Sequence, residues 1–379
     1  MSSISTVSSA AQGGAVTLSV VVPTYREAEN LALLIPKISA VLRAAAVAHE
    51  IIIVDDNSQD GTPEAVDGLR KDGHAVRLIT RLEERGLSSA VVRGFQEARG
   101  EYLLCMDADL SHPPEALPQM LETVRTPGTD FVIGSRYVSG GTTEEGWGLF
   151  RWLNSRVATL LARPFTSAKD PMAGYFALPR AVFARARELS PIGYKIGLEL
   201  MVKCGCKQVR EIPIHFSDRK FGQSKLTFKE QVRYLNHLKR LADYKYGTLS
   251  RLVQFCGVGA TGMAVDFSFY ALLLSILPWP CLSRALAIWV AMTWNFFLNR
   301  GFTFWDGRAI GALRQYRRFV ASCVAGNLAS WAIAMGLNYV PLFVGHRFQA
   351  AFVGVVVGTG INFLGSLLWV FRREGHAAT

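Results

Sequence analysis

Two aspartates one residue apart, Asp107 and Asp109, follow the apolar run Tyr102–Met106 and precede Leu110-Ser111-His112-Pro113-Pro114-Glu115. Carboxylates at this spacing can grip a hard divalent cation while a diphosphate supplies further oxygens. Such a metal neutralises charge that develops on a departing diphosphate. A bare Asp-x-Asp arises often by chance, so its weight here comes from its place directly after an apolar strand. A second acidic cluster, Asp55-Asp56-Asn57-Ser58-Gln59-Asp60-Gly61-Thr62, closes the run Glu50–Val54. Short carboxylates there can accept from a base N–H or from ribose hydroxyls. Asp60, Gly61 and Thr62 also have the chemistry of a turn and helix N-cap. Asp55 or Asp56 is therefore expected to serve a ligand, and the later residues the backbone.

The cations complement these acids. Arg136 follows Gly134-Ser135 at the end of a further apolar run, and a guanidinium fork suits phosphate oxygens. Arg219 and Lys225 straddle Gly222, so one flexible loop could bring both charges to a single anion. No Ser-His-Asp or Cys-His arrangement stands out. His112, which opens a Pro-Pro turn, and His215 are weaker candidates for a general base. The six cysteines form no Cys-x-x-Cys pair, and they read as reduced thiols of a cytosolic domain.

These residues need elements to place them. Leu18–Pro23, Glu50–Val54, Val76–Thr80, Tyr102–Met106 and Asp130–Gly134 read as strands. Asn30–Ala46, Pro63–Arg70 and Leu87–Ala98 carry helical spacing between them. Such alternation predicts an α/β domain with a mostly parallel, Rossmann-like sheet covered by helices. Ligands of such sheets bind beyond the carboxyl ends of the strands. Four polar clusters fall there: Pro23-Thr24-Tyr25, Asp55-Asp56, Asp107-Ala108-Asp109 and Gly134-Ser135-Arg136.

The 379 residues divide by composition. Residues 1–16 are rich in Ser, Ala and Gly and read as a flexible tail rather than a signal peptide. Residues 17–226 carry the α/β pattern. Residues 227–250 interleave Lys and Arg with Leu and Tyr at helical spacing and predict interfacial amphipathic helices. An all-α transmembrane domain of four helices follows in 251–373, with segments near 252–277, 282–303, 317–340 and 349–371, and residues 374–379 form a tail. Arg300, Arg308, Arg314, Arg317 and Arg318 lie between the second and third segments, and Arg372 and Arg373 at the exit. The opposite loops hold only Arg284 and Arg347, so the positive-inside rule puts the catalytic half and both termini in the cytoplasm. A shift of 67 positions aligns Arg251 with Arg318, Gly259 with Gly326, Asn295-Phe296 with Asn362-Phe363 and Phe304 with Phe371. Two segments per unit keep both units in one orientation. The formal charge of +11 comes with no helix-turn-helix or RNA-binding pattern. Anionic lipid and phosphate, not nucleic acid, are the expected counterparts.

The stretches VVPTYREAENL, IIIVDDNSQDGT, MDADLSHPPE, GSRYVSGG, DPMAGYFALPR and HFSDRKFGQSKLT resemble family-two glycosyltransferases of the GT-A fold, in order and at similar spacing from about Leu18 to about Leu226. The nearest subgroup in this resemblance is the dolichol-phosphate (polyprenol-phosphate) mannose synthases, and the four-segment region resembles the GtrA-like membrane family. The resemblance implies transfer of mannose from GDP-mannose to a polyprenyl or dolichyl phosphate, with inversion and with Mg²⁺ or Mn²⁺. It assigns Pro23, Tyr25, Glu27, Asp55 and Asp56 to the nucleotide, and Asp107, Ala108 and Asp109 to the metal and diphosphate. Ser111 stands where relatives often carry a glutamine that contacts the metal. Arg136, Arg151 and Ser155 are implied at the lipid phosphate, and Arg219 and Lys225 in a loop closing over the diphosphate. GDP-mannose, the phosphorylated polyprenol, membrane lipid and a second copy joined through the membrane domain are the implied partners. Two other readings stay open: a polyprenyl-phosphate glucosyltransferase using UDP-glucose, and a lipid-carrier flippase or transporter with a regulatory soluble domain. Against a coupled transporter, the membrane segments carry few charges, chiefly Asp266.

Overall fold

The computed structural model describes residues 16–143, 149–190, 195–217, 228–307, 311–337, 339–343 and 346–372. Residues 1–15, Arg219, Lys225, Arg308 and 374–379 therefore lie outside the described residues. The chain divides into two compact units, Met1–Lys245 and Tyr246–Thr379.

In the first unit the chain runs β1 (Leu18–Thr24), α1 (Ala28–Ala44), β2 (His49–Asp55), α2 (Thr62–Lys71), β3 (Val76–Thr80), α3 (Leu87–Glu97), β4 (Tyr102–Cys105), α4 (Leu117–Arg125) and β5 (Phe131–Ser135). It continues with β6 (Thr142–Thr143), α5 (Leu149–Ala162), β7 (Phe176–Pro179), α6 (Arg180–Phe183), α7 (Ile196–Lys203), β8 (Val209–Pro213), β9 (His215–Phe216) and α8 (Phe228–Tyr246). Seven strands form one sheet in the order β3-β2-β1-β4-β7-β5-β8. All pairings are parallel except those of β7, which runs antiparallel to both β4 and β5. The predicted mostly parallel sheet is thus present, with one reversed strand inserted in it.

Strands β1 and β2 are β-branched and buried on both faces, as a parallel sheet covered by helices requires. One face packs against α1, α2 and α4 through Leu31, Leu34, Ile38, Val66 and Leu121. The other packs against α3, α7 and α8 through Val91, Phe95, Leu198, Leu238 and Leu241. Burying these apolar side chains supplies most of the driving force for the layering. The helix expected at the membrane interface, α8, accordingly has one face on the soluble core. Its Tyr234 hydroxyl also donates to the Ala158 carbonyl at 2.7 Å, while Val232 and Leu235 on α8 remain exposed.

The second unit holds α9 (Thr248–Ile276), α10 (Pro280–Leu298), α11 (Ala312–Leu337) and α12 (Arg347–Gly365). With their extensions these give, among the described residues, four helices long and apolar enough to cross a membrane, Thr248–Ile276, Pro280–Thr303, Ala312–Leu337 and Gln349–Val370. The sequence repeat has structural counterparts. Both α10 and α12 pass into a π-helical turn, Asn299–Thr303 and Ser366–Val370, and Phe304 and Phe371 follow these turns. The two rings stack at 4.9 Å and 12°, in a cluster with Phe296, Phe319 and Phe363. A Cβ on Gly262 would collide with the Asn295 side-chain amide, and one on Gly326 with that of Asn362. The sequence shift pairs Gly326 with Gly259 instead, so α9 sits almost one helical turn out of the expected register. Asp266, the conspicuous acid of the membrane segments, accepts from Arg284 at 2.8 Å.

Candidate active site

Because β1, β2, β4 and β5 are mutually parallel, their carboxyl ends share one edge of the sheet. The reversed strand β7 brings its amino end, and with it Asp170–Gly174, to the same edge. The parallel β8 ends there too and leads to His215 and Phe216. A concavity of about 530 Å³ lined by Glu101, Arg125 and Thr129 holds none of Asp55, Asp107, Asp109 and Arg136.

The loops after β1 and β2 are tied to each other. The Arg26 amide donates to Ser58 Oγ at 2.8 Å and the Ala28 amide to Asp60 Oδ2 at 3.1 Å. Arg26, Asn57 and Gln59 have φ of 60°, 55° and 52°, a left-handed conformation rare for residues with a side chain. Asp55 accepts from the Ser58 amide at 3.0 Å and from its hydroxyl. Asp56 is bound by Arg81 Nε at 2.7 Å and by the Gly86 amide at 2.7 Å. Of the two acids, Asp56 is thus committed to a buried ion pair, and Asp55 opens on a cavity of about 340 Å³ shared with Asn57, Gln59, Glu64 and Thr80. Asp60 and Thr62 make the expected turn, with Thr62 Oγ1 donating to Asp60 Oδ1 at 2.6 Å. The Tyr25 ring, partly exposed, lies 5.3 Å from the Arg26 guanidinium and 5.7 Å from that of Arg85. Glu27 accepts from Asn30 Nδ2 in the first turn of α1, and Pro23 is buried within β1.

Asp107-Ala108-Asp109 leaves β4. Asp109 is buried and accepts from Ser111 Oγ at 2.5 Å and from the Ser111 amide at 3.1 Å, with Leu110 at φ 61° between them. Ser111 thus orients the second carboxylate. The Asp107 amide donates to His112 Nδ1 at 3.1 Å, which leaves the ring proton on Nε2, 3.9 Å from Asp107 Oδ2. Burial pushes His112 below the usual histidine range, with Asp107 and Asp109 opposing and Arg136 adding to the shift. A neutral imidazole stacked on Tyr175 at 5.0 Å is therefore part of the scaffold of Asp107. Gly174 faces the same carboxylate, and a Cβ there would lie 2.9 Å from Asp107 Oδ2. Two carboxylates, hard oxygen donors at a strand end with the facing residue cut back to glycine, fit a hard divalent cation that takes its other oxygens from a diphosphate. No group of three His, Cys, Asp or Glu side chains able to hold a metal occurs among the described residues.

Arg136 leaves β5 and is gripped by Asp170, through Nε at 2.8 Å and Nη2 at 2.9 Å. Burial opposes its charge, but the Asp170 carboxylate outweighs that and holds Arg136 above its ordinary range. The guanidinium lies 4.9 Å from the Phe216 ring and 5.4 Å from the Tyr137 ring. The Tyr137 hydroxyl in turn shares a 2.7 Å hydrogen bond with Ser155 Oγ. Arg136 and Ser155, expected together, are thus joined through one aromatic residue. Arg151 lies in α5, four residues before Ser155. His215 Nδ1 pairs with Thr142 Oγ1 at 2.7 Å on the exposed β6–β9 ribbon. Lys195, absent from the sequence expectations, reaches the Met172 carbonyl at 3.4 Å. Burial lowers its ammonium to about 8, helped by Arg136 and opposed by Asp170 and Asp107. Asp170 and Phe216 were also not singled out. The only signal for Asp170 was an acid preceding a short apolar strand in DPMAGYFALP.

Two family profiles match the chain: glycosyl transferase family 2 over residues 19–186, and the GtrA/DPMS transmembrane domain over residues 254–371. A dolichol-phosphate mannosyltransferase of Pyrococcus furiosus is 36% identical over 352 residues, 92% of this chain and 97% of that protein. The protein of the same name from Mycosarcoma maydis is 44% identical over 238 residues, 61% of this chain and 81% of that one. Among solved structures, glucosyl-3-phosphoglycerate synthase from Mycobacterium tuberculosis, in complex with Mn²⁺, UDP-glucose and phosphoglyceric acid, aligns with a TM-score of 0.46 at 18% identity, over 60% of this chain and 79% of that one.

Proposed function

Because this chain belongs to the dolichol-phosphate mannosyltransferase family, we propose that it moves mannose from GDP-mannose to the phosphate of a dolichyl or other polyprenyl carrier, with inversion at the anomeric carbon. The chain is a glycosyltransferase with a transmembrane domain. What supports the finer reading most is the meeting at one sheet edge of an oxygen donor pair, Asp107 and Asp109, with a half-buried guanidinium, Arg136.

In this reading Asp55 and Tyr25 receive the nucleoside, with Pro23 and Glu27 shaping the loop that carries them. Asp56 acts on Arg81 and so holds the neighbouring loop in place. Asp107 and Asp109 would hold Mg²⁺ or Mn²⁺, which when bound neutralises charge on the diphosphate. Ser111 keeps Asp109 in its orientation. Arg219 and Lys225 are assigned to the same diphosphate, and Arg136, Arg151 and Ser155 to the acceptor phosphate. A phosphate monoester is largely ionised near neutral pH, so one of its oxygens attacks the anomeric carbon without a dedicated base. The new C–O bond forms as the bond to the diphosphate oxygen breaks, and GDP leaves. The work of the protein is alignment and charge stabilisation. Arginine density in the loops further assigns both termini to the cytoplasmic side. Labelling of cysteines introduced at each terminus in sealed vesicles tests that sidedness.

The activity is tested with purified full-length chain, polyprenyl phosphate, Mg²⁺ or Mn²⁺ and labelled GDP-mannose or UDP-glucose. Mannolipid formation that disappears in Asp109→Ala is the expected result. Glycolipid from UDP-glucose alone would replace mannose by glucose, and none from either donor would remove the transferase reading.

A further inference from the structure

We propose that Phe216 is a positioning residue that couples the donor carboxylates to the acceptor arginine, so that occupation of either substrate site raises affinity at the other. The inference rests on the assignment of Asp107 and Asp109 to the donor and of Arg136 to the acceptor.

The ribbon carrying Phe216 is minimal. β9 contributes two residues, paired in parallel as Thr142 with His215 and Thr143 with Phe216. From this ribbon the Phe216 ring touches both halves of the site. It meets the Arg136 guanidinium 4.9 Å from its centroid and the His112 ring at 5.6 Å and 63°. His112 accepts from the Asp107 amide, so the contacts run Asp107–His112–Phe216–Arg136. The adjacent Ser217 amide donates to the Ser111 carbonyl at 3.2 Å, and the Ser111 side chain holds Asp109. Asp107 and Asp109 are therefore each hydrogen-bonded to a residue, His112 or Ser111, that contacts Phe216-Ser217.

The Phe216 ring contacts both the His112 imidazole and the Arg136 guanidinium, so a shift of the ring changes both contacts. Tyr175 backs His112 from another side, and Asp170 holds two nitrogens of Arg136, so a displaced ring changes its place relative to a held guanidinium. The attraction between a cation and a π-face depends on where the cation sits over the ring. A shift of Phe216 when the carboxylate loop takes up its ligand thus changes how far the ring offsets the held Arg136 charge that meets a phosphate. Coupling is reciprocal by thermodynamic necessity.

The test uses the full chain in detergent, and short-chain polyprenyl phosphate binding measured with and without GDP and Mg²⁺. In the wild type and in Phe216→Tyr, GDP with Mg²⁺ is expected to tighten acceptor binding about fivefold or more. Phe216→Leu keeps apolar bulk but removes the π-face. It is expected to bind GDP with unchanged affinity in the absence of acceptor, to lose the tightening, and to raise the acceptor KM at saturating donor about fivefold, while the donor KM at low acceptor holds. Full tightening in Phe216→Leu, or equal loss in the Tyr and Leu variants, overturns the proposal. So does a wild type that makes mannolipid but shows no tightening. A wild type that makes no mannolipid counts against the parent assignment instead.

Discussion

Asp170 and Arg136 meet side-on through two parallel hydrogen bonds of 2.8 and 2.9 Å, and the carboxylate is wholly shielded from solvent. The Arg136 amide also donates to Asp170 at 3.2 Å. One acid thus fixes both backbone and side chain of the residue assigned to the lipid phosphate. Removing one partner of a buried pair leaves the other charge uncompensated. Asp170→Asn is therefore expected to lower the stability of the protein by about 3 kcal/mol and to raise the acceptor KM more than the donor KM. Denaturation and steady-state kinetics on the detergent-solubilised chain check both, and an unchanged unfolding midpoint would contradict the burial argument.

Gly174 gives Asp107 its room. In Gly174→Ala the new methyl must displace the carboxylate, because 2.9 Å is inside van der Waals contact. The expected result is a folded protein whose metal and donor requirements rise about ten- to a hundredfold, the scale of a misplaced catalytic group. Titration of activity with Mn²⁺ reads the effect. Wild-type metal dependence in this variant would place the cation elsewhere.

Lys195 gives the site a group that titrates near about 8. Its folded pKa lies below the ordinary lysine value of 10.5, so between these values the unfolded chain binds more protons and stability rises with pH. Activity should move the opposite way, since a neutral amine beside Arg136 attracts phosphate less. Turnover is expected to fall from pH 7 to 9 in the wild type, and Lys195→Arg, which stays charged, should flatten that fall. Identical alkaline limbs in the two proteins would show that another group governs it.

Glu50 sits where β2 meets the rest of the sheet. It accepts from Ser19 Oγ at 2.6 Å, the Arg99 amide at 2.5 Å and Arg77 Nε at 2.9 Å. Burial would raise its pKa, but these donors together hold it below its usual value of 4.5. Its stabilisation is complete above the unfolded pKa and is lost as pH falls through the lower folded one. Glu50→Gln should cost about 1–3 kcal/mol near neutrality and progressively less on acidification. A penalty independent of pH would rule out the ionised carboxylate as its source.

In the second unit, Gly326→Val should force the Asn362 amide away and destabilise the α11–α12 hairpin by about 1–3 kcal/mol, the range for overpacking. Adding Asn362→Ala removes the obstructing amide and is expected to restore thermal stability in detergent. Without that rescue, the close approach of glycine and asparagine is not what holds the hairpin.

Much of the site was legible because parallel strands advertise themselves as apolar runs, and Asp55, Asp107 and Arg136 stand directly after three of them. The partners of these residues were not. Asp170 reaches the edge only because β7 is reversed, and a four-residue strand, Phe-Ala-Leu-Pro, has no pattern from which pairing direction can be read. Phe216 lies in a two-residue strand, below any periodicity. The sequence favoured neither Asp55 nor Asp56 for the ligand, and the distinction depends on Arg81, 25 residues further on. The membrane spans were legible by length, but the pairing of Asp266 with Arg284 was not, since it joins two helices across a turn. All six cysteines are free, as reduced thiols would be.

The stack of Phe304 on Phe371 joins equivalent positions of two like halves. Had each half been a separate polypeptide, this would be a residue meeting its own copy, as at the axis of a homodimer. Each half holds two helices long and apolar enough to cross a bilayer, and with an even number of crossings, fusing, losing or adding a half leaves the sidedness of the chain unchanged. The membrane unit can thus be regarded as two like halves that meet as the copies of a homodimer would. Covalent joining removes the demand that the halves be identical, and they are not: Gly262, and not the aligned Gly259, faces the Asn295 amide.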